Sequence, residues 1–164
     1  RKGLKLPPLI RGGGQEGGYR SGTEATAQIA AFAAAARLGA ASFQEDTAHM
    51  AGLKALTVER LAREVPEAVV LAPGGAPHIL PISLPGYKSE VVVRFLSDRG
   101  VYLSSGSACH RGGLSHVFAA LDLLKPQREG ALRVSFSYDT TPEDVDALIQ
   151  GLKAARKDLF TTLS

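Results

Sequence analysis

The 164 residues suit one domain of ordinary size, and the 45% hydrophobic and 21% charged content is close to the globular average. Net charge is +3 and the pI about 9.2, but Lys and Arg are scattered and not interleaved with aromatics, which argues against a nucleic-acid surface. No apolar run is long enough for a membrane span and no secretory leader pattern is read. The single cysteine rules out an internal disulfide, which fits a reducing, cytoplasmic compartment.

In chain order, residues 1–22 read as irregular, with a proline pair at Pro7 and Pro8 and a glycine-rich stretch from Gly12 to Gly22. Ser21 and Thr23 offer cap residues for an alanine-rich helix in which Ile29, Phe32, Ala33 and Ala36 recur at three and four, with Gly39 as its stop. Few charges stand on any side, so this helix is expected to be buried. Ser42 and Glu45 suggest a capping box for a second helix carrying Met50, Leu53, Leu56 and Leu61, stopped by Pro66. Residues 68–72 and 78–86 read as strands, the second irregular or at an edge because of Pro81.

Ser89 reads as the cap of a helix whose apolar face is Val91, Val92, Phe95 and Leu96, closed by Gly100. Residues 101–103 read as a short strand, 115–124 as a helix and 131–137 as an alternating strand. The clearest helix follows: Thr141 as cap, Pro142 at its first position, Asp144 two residues on, and a stripe of Val145, Leu148, Ile149 and Leu152. Short strands mixed with amphipathic helices predict an α+β (or α/β) fold, a small sheet covered by helices.

Cys109 lies in "LSSGSACHRGG". A lone cysteine is more often a buried small residue than a nucleophile. Here the flanks are Ser, Gly and Ala, which predicts a mobile loop between strand and helix. His110 and Arg111 follow directly, and nearby positive charge favours the thiolate. A metal site from Cys109, His110 and His116 is the weaker reading, because structural zinc usually takes four ligands in paired spacing.

Arg133 interrupts the apolar strand "ALRVSFS". A solvated strand face explains it as well as an anchor for a substrate carboxylate, to which the planar guanidinium can bond through two donors. The string "GGGQEGGYRSGT" (12–23) matches no Walker loop, and an ordinary turn is the better reading from pattern alone. Arg20, Ser21 and Thr23 could still offer polar contacts to an anion.

Taken together, "PPLIRGGGQEGGYRSGT", "VYLSSGSAC" and "ALRVSFSYDTTPEDVDALI", in this order, resemble the cysteine desulfurases, pyridoxal-phosphate enzymes of the class V aminotransferase group. The resemblance covers nearly the whole chain. It implies the small C-terminal domain of a fold-type I transferase, with residues 1–40 as glycine-rich segment and bridging helix and 41–164 as the small domain with a mainly antiparallel sheet.

It also implies roles. Cys109 would take sulfur from L-cysteine as a persulfide and release alanine. Arg133 would hold the substrate carboxylate. Thr23 would reach the phosphate of pyridoxal 5′-phosphate in the opposite subunit of a homodimer, with Arg20 and Ser21 shaping that segment. The sulfur would pass to an acceptor or scaffold protein for iron–sulfur or thio-cofactor synthesis. Neither nucleic acid, membrane nor metal is implied.

The family's Schiff-base lysine stands in a His-Lys motif. Lys2, Lys5, Lys54, Lys88, Lys125, Lys153 and Lys157 match no such motif. The chain also opens at Arg1 rather than Met. A C-terminal fragment is therefore expected, unable by itself to bind the cofactor covalently or turn over. A selenocysteine lyase or another class V aminotransferase is the alternative within the same fold, and a non-catalytic interaction domain the alternative outside it.

Overall fold

A computed structural model describes residue 3, residues 6–105, Phe118 and residues 120–161. Two compact units divide the chain, Arg1–Phe43 and Gln44–Ser164.

In the first unit, a loop is tied at its base. The Leu9 amide donates to the Tyr19 carbonyl at 2.8 Å, the Ser21 amide donates to the Ile10 carbonyl at 3.1 Å, and Ile10 and Arg20 form a parallel bridge. A short 3-10 turn, Gln15–Gly18, sits at the tip, where Glu16 takes a left-handed conformation (φ 52, ψ 43). The helix α1 (Thr26–Glu64) then runs for 39 residues without a break.

The two helices expected on either side of Gly39 are thus one. Gly39 costs about 1 kcal/mol relative to alanine in a helix interior, which an alanine-rich surround tolerates. The Ser42 hydroxyl, expected to cap, instead donates to the Leu38 carbonyl one turn back at 3.5 Å. Burial also differs from expectation. None of residues 26–43 is buried, and Phe32 is 76% exposed.

The second unit is a three-stranded antiparallel sheet in the order β1 (Val69–Val70), β2 (Ile79–Ser83), β3 (Ala131–Ser135). Pro81 sits on the central strand, paired with Arg133, rather than at an edge. The placement is tolerated because both main-chain groups of one residue point to the same side. The Pro81 carbonyl accepts from Leu71, just past the two-residue β1, so the missing N–H also points to the place where that ladder ends.

Successive side chains on a strand take opposite faces. Leu80, Ile82, Leu132, Val134 and Phe136 form one face, and all are buried. They join one core with Val92 and Leu96 of α2 (Ser89–Ser97) and with Val145, Leu148, Ile149 and Leu152 of the last helix, Pro142–Asp158. Leu53 and Leu61 of α1 complete that core.

The last helix begins as its sequence predicts: the Thr141 hydroxyl accepts from the Asp144 amide at 3.4 Å, and the Asp144 carboxylate accepts from the Thr141 amide at 2.9 Å. Between α2 and β3 the expectation fails. Residues 101–103 form no strand, and residues 120–124 are not helical; the rest of the helix read over 115–124, Phe118 apart, lies outside the described residues. A short helix α3 (Lys125–Glu129) follows instead, with Pro126 in its first turn. Proline is favoured there and disfavoured within a helix, so it marks a start. The Leu124 amide donates to the Gln127 side chain at 3.1 Å. The helix Pro142–Asp158 is therefore α4.

Candidate functional site

Arg133 is central to β3, and the alternation that buries Leu132 and Val134 against the helices turns Arg133 to the opposite face. That face is closed at one end, where Ala131 and Ser83 are buried and the Ser83 hydroxyl donates to the Gln127 carbonyl at 2.6 Å. Arg133 is half-buried, and its Nε is buried without a hydrogen-bond partner among the described residues. A buried donor of a charged group left unpaired is costly, and such groups in folded proteins usually meet an acceptor. The guanidinium is thus suited to a carboxylate, which offers two acceptor oxygens in matching geometry.

The free edge of β3 receives the segment that leads to the cysteine. The Arg133 amide donates to the Ser104 carbonyl at 2.7 Å and the Ser104 amide donates to the Arg133 carbonyl at 3.4 Å. Residues directly paired in an antiparallel bridge project to the same face. Ser104 and Arg133 therefore share one face, five residues before Cys109 in the sequence. Cys109, His110, Arg111 and His116 lie outside the described residues. Among the described residues no group of acidic, His and Cys side chains is arranged to hold a metal.

A cavity of about 240 Å3 lies next to this edge, between residues 100–103, the end of β3 and the first turns of α4. Tyr102, Ser135, Phe136 and Asp144 line it, and Arg133 does not. This opening is thus separate from the guanidinium.

The other candidate residues belong to the loop of the first unit. Ser21 is buried, and its hydroxyl donates to the Gly13 carbonyl at 2.6 Å, so it holds the loop together rather than facing solvent. Arg20 and Thr23 are exposed. The Arg20 guanidinium lies over Gly22: a Cβ there would stand 2.7 Å from Nη1, and Gly22 has φ +126. The positive φ favours glycine at that position, whereas the exposed Arg20 side chain could swing aside for a Cβ.

Sequence reasoning missed Lys54. It is buried on α1, and its ammonium donates to the carbonyls of Gly75 and Ala76 at 3.0 and 3.1 Å. Its only signal is a charge beside Leu53 and Leu56, and its partners lie 21 and 22 residues away. Lys54 ties the loop before β2 to α1.

The class-V aminotransferase model matches residues 8–148. The chain is 31% identical over 158 residues to the cysteine desulfurase IscS of Clostridium botulinum, covering 93% of this chain and 40% of that protein. It is 32% identical over 154 residues to the cysteine desulfurase NifS of Azotobacter vinelandii, covering 92% and 38%. The chain thus spans about two fifths of the length of the curated relatives it matches. A solved structure named a NifS-like protein superposes with a TM-score of 0.80 at 30% identity, over 97% of this chain and 41% of that one. The X-ray structure of a NifS-like protein from Rickettsia africae superposes at 0.78 and 24% identity, over 94% and 41%, and shares the fold. An antiparallel three-stranded sheet covered by helices, an arginine on its open face and a family match that takes in both the glycine-rich loop and β3 lead to one assignment: the chain belongs to the class-V aminotransferase family.

Proposed function

We propose that these residues form the C-terminal part of a cysteine desulfurase, with residues 1–40 as glycine-rich segment and bridging helix and 41–164 as the small domain. The observation that carries this reading is the Ser104–Arg133 bridge, which sets the segment leading to Cys109 beside Arg133, whose buried Nε has no hydrogen-bond partner among the described residues.

The residues present fit pyridoxal phosphate and an amino-acid substrate in complementary ways. The buried Nε of Arg133 has no acceptor among the described residues, which suits the guanidinium to the substrate carboxylate. Thr23 is exposed, and its hydroxyl has no partner among the described residues, which leaves it available to the cofactor phosphate across a homodimer. The cofactor lysine is assigned outside these residues. No histidine in the chain is followed by lysine, and Lys54 is committed to two carbonyls.

Pyridoxal phosphate, when bound, supplies an electron sink for the pair released from the substrate Cβ–S bond. Arg133 orients the substrate by its carboxylate. The Cys109 thiolate attacks the substrate sulfur; the new S–S bond forms as the Cβ–S bond breaks, and a proton on Cβ completes alanine. In sum, one thiol and one cysteine give one persulfide and one alanine. The persulfide then passes its outer sulfur to an acceptor protein, for iron–sulfur or thio-cofactor assembly. A thiol that must stay reduced between turnovers fits the cytoplasm. No helix among the described residues is long and apolar enough to cross a membrane.

The test is alanine formation from L-cysteine by the full-length protein. Cys109→Ser should abolish it. Arg133→Leu should raise KM for cysteine about tenfold to a hundredfold, the worth of a charge-assisted contact. Turnover of selenocysteine that survives Cys109→Ser would favour a lyase, and an unmutated protein without turnover would favour an interaction domain.

A further inference from the structure

The cavity beside the segment that leads to Cys109 is not used by the proposed chemistry. It measures about 240 Å3 and lies between residues 100–103, the end of β3 and the first turns of α4. Val134, Phe136 and Leu148 give it a buried, apolar lining. Tyr102 and Asp144 line it from exposed positions, and Tyr102 is 80% exposed. Ser135 lines it too. Arg133 directs both its amide and its carbonyl to Ser104, so those of Ser135, two residues on, point the same way. Neither has a partner among the described residues.

The charge around this opening is one-sided. The Asp144 Oδ2 accepts from the Thr141 amide and hydroxyl at 2.9 and 3.3 Å. Asp139 and Glu143 flank the opening in sequence. Neither they nor Asp144 meets a cation among the described residues, whereas Asp146 of the same helix pairs with Arg60. Arg99, next to Gly100, is turned to Asp158 at 3.7 Å and to the Phe95 ring. A helix start carries about half a positive charge, which three carboxylates outweigh. An exposed aromatic ring, apolar walls for an aliphatic stem and a carboxylate without a cation fit the side chain of arginine. Its planar head both stacks on an aromatic ring and pairs with a carboxylate.

We propose that this cavity takes an arginine side chain of the protein that accepts sulfur from Cys109, and so docks that acceptor beside the persulfide. This rests on the reading of Cys109 as the sulfur carrier. Its position supports the role: Leu103 lines the cavity and precedes Cys109 by six residues, which span no more than about 20 Å. The open main-chain groups of Ser135 are available to the segment that carries the arginine.

The experiment loads the full-length protein with L-cysteine, removes the excess, and follows discharge of the persulfide to synthetic peptides by mass spectrometry of the intact protein. Each peptide has one cysteine and, the same six residues on, an arginine, a norleucine or a glutamate, with glycines between. The peptide thiolate attacks the outer sulfur of the persulfide; the new S–S bond forms as the old one breaks, and Cys109 leaves as the thiolate. At low peptide concentration the arginine peptide should react about three- to tenfold faster than the norleucine peptide, the worth of one exposed ion pair with a cation–π contact. The glutamate peptide should be the slowest. Asp144→Asn, which keeps a side-chain oxygen for the Thr141 amide, and Tyr102→Ala should each reduce the arginine advantage, and the double substitution should abolish it. Equal rates for the three peptides on the unmutated protein would overturn the docking site alone, since the persulfide would still have formed. An arginine advantage that survives the double substitution would overturn it too, because the cation would then be met elsewhere. If L-cysteine loads no persulfide, the Cys109 reading fails and the docking site fails with it.

Discussion

The helix α4 and the first part of α1, residues 26–43, are of similar length, and they are held in different ways. α4 buries Val145, Leu148, Ile149, Leu152 and Ala155 against the sheet and α2, and it is capped at its start by Thr141 and Asp144. Residues 26–43 bury nothing, and Ile29, Phe32, Leu38 and Phe43 are exposed. Alanine has the highest intrinsic helix propensity, and elongating an existing helix avoids the cost of nucleation. Within the described residues, composition and continuity with residues 44–64 are what support this stretch, whereas α4 depends on tertiary packing. Helical pattern alone does not say which kind of support a helix has.

The largest effect should come from removing a packed side chain of α4. Ile149 is fully buried in the core. Ile149→Ala removes buried methyl groups and leaves a cavity, for an expected loss of about 2–5 kcal/mol. Denaturant unfolding of the two chains measures it. A loss below about 1 kcal/mol would mean that α4 is not anchored by this core.

What the sequence revealed follows the same division. α4 was legible in full because its signals are local: a cap, a proline at the first position, and apolar residues at three and four. β3 was legible from alternation, which also set Arg133 apart from Leu132 and Val134. The α1 break was misread because Gly39 and Ser42 are stop and start signals only on average, and a back-bonded serine satisfies its hydroxyl within the helix. Residues 120–124 were misread because Ala120, Leu121 and Leu124, with Val117, imitate a helical face in the sequence, whereas Pro126 marks where the helix begins. At the site, residue types were legible and neighbours were not. The Ser104–Arg133 bridge joins residues 29 apart, by a pairing register that no local pattern encodes.

A smaller effect, confined to acid, concerns the end of α1, where it meets α4. The Arg60 side chain bonds Glu64 at 2.8 Å and also pairs with Asp146, while Lys153 reaches Glu64 at 3.5 Å. The Arg60 hydrogen bond, opposed in part by desolvation, holds the Glu64 carboxyl at about 2, below the ordinary 4.5. A depressed folded value means stability that is fully present above the unfolded value and is lost as pH falls toward 2. Glu64→Gln should therefore cost a constant amount above about pH 5, and the difference in melting temperature between the two chains should close as pH approaches 2. A difference that stays constant over this range would show that the ion pairs do not couple to folding.

The smallest effect should come from α1 residue Phe32. Its side chain is 76% exposed, so Phe32→Gln removes little packing and replaces an aromatic by a residue of higher helix propensity. The expected change in unfolding free energy is within about 0.5 kcal/mol, as for other surface sites. Far-UV circular dichroism should show the same helix content. The contrast with Ile149→Ala is then a ratio of at least about four for two apolar residues on two helices. A cost near 2 kcal/mol for Phe32→Gln would place this side chain in a packed contact, and α1 would then be held along its whole length by burial, as α4 is.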